Sequence, residues 1–119
     1  MPNYTEFSVT VKSTGDGNKY YINNIRQMPL ALTEGSVYRF DVSDSSVSGH
    51  ALLFSETRDG THNSGSTYST GVTTSGTAGS ANAYVEIVVA ENAPDLFYYC
   101  VNHSGMGGPV ETVGGSSFS

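Results

Sequence analysis

Tyr98-Tyr99-Cys100-Val101-Asn102-His103-Ser104-Gly105-Met106-Gly107-Gly108 joins two kinds of sequence at Cys100. Before it, Leu96 to Cys100 is an unbroken apolar and aromatic run of strand length. After it, a glycine-rich stretch follows, and Cys100 to Met106 packs a thiol, an imidazole and a thioether into seven residues. Cys100 and His103 lie three apart and Met106 three further, so a tight loop leaving a strand can turn all three side chains toward one point.

Outward from this segment the chain repeats the same grammar of short strands and turns. Alternation is clearest at Glu6 to Lys12, where Phe7, Val9 and Val11 share a face, and at Ser36 to Val42, where Tyr38, Phe40 and Val42 do. Lys19 to Ile22, Leu30 to Leu32, His50 to Phe54, Tyr84 to Val89 and Leu96 to Cys100 are further apolar segments bounded by turn formers. That reads as about seven strands, with an eighth candidate at Val110 to Val113. Gly15-Asp16-Gly17-Asn18 suits a hairpin, Glu34-Gly35 a tight turn and Ala93-Pro94-Asp95 a bend. Strands with one apolar face must bury it, so an all-β antiparallel sandwich of two sheets is expected.

Residues 56–82 form a Ser/Thr/Gly tract with Tyr68 and Val72 as its main large apolar residues. Its length predicts a functional or mobile surface loop carrying a short strand around Tyr68 to Val72. Residues 114–119 read as a flexible tail, and 1–119 as one domain.

Composition narrows the function classes. A net charge of −6 with only five Lys and Arg excludes a phosphate-backbone ligand as the expected partner, and any protein partner is expected to offer a basic face. No apolar run approaches bilayer-spanning length, and the N-terminus lacks the layout of a secretory signal. Compartment therefore stays open among periplasmic, extracellular and virion-associated settings. The carboxylates Asp16, Asp41, Asp44, Asp59 and Asp95 are scattered, and no serine stands in a nucleophile setting, so no enzyme is expected.

A single cysteine excludes an internal disulfide and leaves Cys100 as inert thiol, nucleophile or metal ligand. Two imidazoles and a thiolate in a plane, with a weak axial thioether, make the ligand group of an electron-transfer copper site. The second imidazole must come from His50 or His62. His50 sits where a turn feeds a strand, in Ser48-Gly49-His50-Ala51-Leu52, whereas His62 lies in the soft tract and reads as a solvated residue. A redox site needs rigid ligands, so His50 is the expected partner. The predicted metal set is His50, Cys100, His103 and Met106, holding one copper ion as Cu(I) or Cu(II). The same His₂Cys set also accepts zinc.

A histidine entering a central strand, followed far downstream by a final strand ending in Cys-x-x-His-x-x-Met, resembles the cupredoxin family. The short Cys-to-Met spacing is similar to the amicyanin branch, and Phe97 to Gly108 also resembles cupredoxin-like domains of marine microbes and phages. The resemblance implies a Greek-key β-sandwich and one-electron transfer. It further implies a monomer meeting redox partners at the exposed edge of His103, with ligation through Nδ1 of both histidines. Copper storage or delivery, and a structural or adhesive domain of a virion or cell surface, are the rival functions.

Departures from the family pattern carry their own expectations. Family members often tie the two ligand loops through an Asn after the first His and a Ser or Thr after the Cys. Here those positions are Ala51 and Val101, so that tie is expected to be missing. Asn102 replaces a common Pro and retains a backbone N–H that could point at the Cys100 sulfur. Met28 reads as a packing residue. The tyrosines Tyr20, Tyr21, Tyr38, Tyr84, Tyr98 and Tyr99 read as strand residues with hydroxyls near water. The Asn102-His103-Ser104 triplet reads as a chance match to a glycosylation site.

Overall fold

The computed structural model describes residues 3–114. All eight expected strands form, as β1 (Thr5–Thr14), β2 (Gly17–Ile22), β4 (Leu30–Thr33), β5 (Val37–Asp41), β6 (Leu52–Ser55), β9 (Tyr84–Val88), β10 (Leu96–Cys100) and β11 (Gly108–Val113). Three short strands join them: β3 (Ile25–Arg26), β7 (Thr67–Tyr68) and β8 (Val72–Ser75). The 56–82 tract is thus no open loop. It carries a 3₁₀ turn at Gly60–Asn63 and then β7 and β8, which are hydrogen-bonded to β6 and β9 respectively. Of the expected tail, residues 115–119 lie outside the described residues.

The strands form two mixed sheets, β3-β2-β1-β5-β9-β8 and β4-β11-β10-β6-β7. The expected purely antiparallel arrangement is corrected at two places, because β1 runs parallel to β5 and β4 parallel to β11. Strands that meet in parallel must be joined by long crossovers rather than hairpins, which is why neighbours in space here are far apart in sequence.

One apolar core lies between the sheets. Val9, Tyr20, Ile22, Phe40, Val85 and Ile87 point inward from the first, and Leu32, Leu52, Phe54, Leu96, Tyr98 and Val110 from the second. Aromatic pairs bridge the gap: Phe40 on β5 meets Phe54 on β6 edge-on at 5.6 Å, and Tyr20 on β2 meets Tyr98 on β10 at 6.1 Å.

Four tyrosines depart from the expected wet placement. Tyr20, Tyr38, Tyr98 and Tyr99 are buried. A buried phenol needs a partner, and each has one. Tyr20 donates to His50 O (2.5 Å) and Tyr98 to Met28 O (2.9 Å). Tyr38 Oη accepts from Thr33 N (2.8 Å), and Tyr99 shares a 2.5 Å bond with Thr67 Oγ1. Met28 packs half-buried against the core, as expected.

Candidate metal centre

β6 and β10 are antiparallel neighbours, with Cys100 opposite Leu52, and the ladder is extended by Val101 N donating to Ala51 O at 3.2 Å. This pairing brings the start of β6 and the end of β10 to the same edge of the sheet. His50 stands two residues before β6, and His103 three residues beyond β10.

The approach to His50 is built by a 3₁₀ turn at Ser45–Val47. Asp44 Oδ2 caps it, accepting from Ser46 Oγ (2.6 Å) and Ser46 N (3.0 Å), and these bonds hold its carboxyl below the usual range. Val11 N on β1 donates to Ser46 Oγ at 2.9 Å, anchoring the turn to the other sheet. His50 N then donates to Val47 O at 2.8 Å, which fixes where the imidazole leaves the chain.

The structure brings together His50, Cys100 and His103, whose ligand atoms all lie within 4.8 Å of one another. Cys100 Sγ faces His50 Nδ1 at 3.6 Å and His103 Nδ1 at 3.9 Å. A cation about 2.3 Å from sulfur and about 2.0–2.1 Å from nitrogen separates those donors by about 3.6 Å at a tetrahedral angle and about 3.8 Å at a trigonal one. Both sulfur–nitrogen distances thus match donors around a central ion, and the three residues could hold a metal. Cys100 is fully buried, His50 half-buried and His103 exposed. Burial, and then the positive charge that His103 can carry, holds the His50 pKa below its ordinary value. Its ring thus favours the neutral form, which has a lone pair free for a metal.

The loop between Cys100 and β11 is clamped from the opposite sheet. Lys19 Nζ donates to Gly105 O (2.7 Å), Gln27 Nε2 to Gly107 O (2.8 Å) and Tyr20 N to Met106 O (3.0 Å). From the other side, Gly105 N donates to Asp59 Oδ1 at 2.9 Å. Met106 is buried in the core with no exposed surface. Gly107 runs so close to β10 that a Cβ there would stand 1.7 Å from Tyr98 O, so only glycine can hold this path.

One expectation about the ligand loops changes at Asn102. Its side-chain Nδ2 donates to Gly49 O at 2.9 Å. That bond ties the His50 loop to the Cys100 loop, so the tie expected to be missing at Ala51 and Val101 is made by a different residue. His62 is exposed, as expected of a solvated residue, but it also has a fixed partner: its Nε2 is bonded to Cys100 O at 2.8 Å. The other ends of both bonds are backbone carbonyls, which leave no mark in side-chain sequence.

No protein-family model matches the chain, and no curated protein matches it.

Proposed function

We propose that this chain is a cupredoxin-type, mononuclear type 1 copper protein that carries one electron between redox partners. The observation that carries the reading is the spacing of Cys100 Sγ from two Nδ1 atoms, 3.6 and 3.9 Å, at the edge of a two-sheet fold. The adjacency of β6 and β10, which puts the upstream histidine beside the C-terminal loop, supports a Greek-key cupredoxin topology.

His50, Cys100 and His103 would hold the ion, the thioether of the buried Met106 is proposed as a further weak ligand, and copper would supply a one-electron Cu(II)/Cu(I) couple when bound. Cys100 serves as thiolate, releasing its proton on binding. The clamps from Lys19, Tyr20, Gln27 and Asp59 support the electron-carrier reading over storage, because they hold the donors in place whether or not the ion changes charge. The exposed imidazole of His103 gives an electron a way in and out beside the uncharged residues Gly49, Val101 and Ser104. With a net charge of −6, the chain suits a redox partner that presents a basic docking face.

Titration of reduced, metal-free protein with Cu(II) tests this, followed by visible absorption and electron paramagnetic resonance. An intense thiolate-to-copper band saturating at one equivalent, with small copper hyperfine splitting, is expected, and Cys100→Ser should abolish it. A pale complex, or a preference for zinc with no coloured copper form, would overturn the copper reading in favour of a structural metal.

A further inference from the structure

His62 lies far from the metal ligands in sequence, in the Ser/Thr/Gly tract, yet the fold takes pains to place it. Its ring nitrogen Nε2 meets Cys100 O at 2.8 Å, and its ring stands edge-on to Tyr99 at 6.2 Å with an interplanar angle of 86°. A carbonyl oxygen only accepts, so Nε2 donates in this bond, and Nδ1 faces away from it. The residue itself is exposed.

The 3₁₀ turn that carries His62 is seated hard against Tyr99. A Cβ at Gly60, whose φ is +53°, would stand 2.5 Å from the Tyr99 ring, so a side chain there would lift the turn off the strand. His62 N donates to Asp59 O (3.0 Å) and Gly65 N to Gly60 O (3.0 Å), closing the turn on itself. Asp59 also holds Gly105 N, so one short segment grips both the ligand loop and the ligand strand. Beneath it, Tyr99 is fixed by its bond to Thr67 on β7.

We propose that His62 is a second electron port, coupled to the metal centre through the hydrogen bond to the Cys100 carbonyl. The inference rests on the copper reading and adds to it a route that does not pass through His103. An electron donated by a one-electron reductant at the His62 ring crosses the Nε2–H to Cys100 O bond and follows carbonyl carbon, Cα and Cβ to Sγ. There it would reduce a bound Cu(II) to Cu(I). No covalent bond is made or broken, and the Nε2 proton stays in place. Oxidation by an external acceptor runs the same path in reverse.

A ruthenium ammine label tests the route in the copper-loaded protein. Ligation through Nδ1 leaves Nε2 of the exposed His103 open to the label as well, so the His62 adduct is separated from any His103 adduct by peptide mapping before rates are read, and ¹⁵N resonance shows which nitrogen took the label. The control is a His62→Gln/Asn63→His double variant, labelled one residue along on the same turn, where no ring bond reaches Cys100. After flash reduction of the label, intramolecular transfer from His62 is expected to be severalfold faster than from position 63, where no hydrogen-bonded route to Cys100 exists. Equal rates from the two positions would overturn the port and leave His62 as an anchor for its turn. So would a label that displaces Cys100 and takes Nε2, because the bond would then be too weak to serve as a route. A labelled protein with no thiolate-to-copper band would instead overturn the copper reading itself.

Discussion

The hydroxyl of Tyr20 donates to the backbone carbonyl of His50 at 2.5 Å, from a strand in the opposite sheet. The same residue's N–H holds Met106 O, so one tyrosine braces both loops of the candidate centre across the core. Tyr20→Phe keeps the ring and removes only the first of these braces. Loss of a buried partner predicts a destabilisation of about 1–3 kcal/mol, read from urea unfolding of metal-free protein. The released His50 loop should also broaden the copper resonance signal. A variant with wild-type stability and an unchanged spectrum would show that the bond does not hold the ligand.

Asn102 supplies the tie between loops from the outside, through Gly49 O. The bond is exposed, so Asn102→Ala should cost metal-free stability less than about 1 kcal/mol. Its effect should fall on the metal. Copper is expected to leave about tenfold faster to a competing chelator, within the range seen when a ligand's supporting contacts are removed. A chelation rate matching the wild type would assign loop order wholly to the clamps from Lys19, Gln27 and Asp59.

Alkaline stability follows from the buried phenols. Burial raises the pKa of Tyr20, with the adjacent Cys100 adding to it, and burial raises that of Tyr98. In the unfolded chain both ionise near pH 10, so above about pH 10 the native state binds more protons than the unfolded one and stability falls as pH rises. Below that value these two groups contribute no pH dependence. Phenolate absorbance should show at least Tyr20 and Tyr98, of the eight tyrosines, titrating only together with loss of β-sheet circular dichroism. Reversible ionisation of all eight near pH 10 in folded protein would contradict their burial.

Gly107→Ala places a methyl against Tyr98 O, at the point where the ligand loop turns into β11. Backbone cannot yield as a side-chain tip does, so the loss should exceed the ~0.5–3 kcal/mol of ordinary substitutions. Gly114→Ala, which meets nothing within 4 Å, is the control and should leave the unfolding midpoint unchanged. Equal midpoints for the two variants would mean that the loop has room to shift.

What could be read from the sequence was what periodicity and spacing encode. Phe7, Val9 and Val11 announce β1 because alternate residues face the core, and Cys-x-x-His-x-x-Met announces the loop because ligand chemistry needs those side chains close together. β3 is two residues of bridging and leaves no apolar pattern to find, whereas the strand expected around Tyr68 to Val72 is in fact two, β7 and β8, because a turn at Thr70 and Gly71 separates them. The Asn102 tie and the His62 bond escaped for another reason: each uses a backbone carbonyl as partner, and any residue supplies one. Gly60 shows its role only in the structure, where its positive φ and its closeness to the Tyr99 ring appear together.

The strand order β4-β11-β10-β6-β7 places β11, the last strand among the described residues, between β4 and β10, not at an edge. During synthesis, therefore, β4 and β10 both emerge before the segment that joins them, and their unsatisfied backbone groups stand open toward any other extended chain. Only when Gly108–Val113 has left the ribosome can that gap close. Until then the nascent protein is open to mispairing at this gap, and a chain that stops just after Met106 would possess every proposed copper ligand while the sheet that carries them stayed split between β4 and β10.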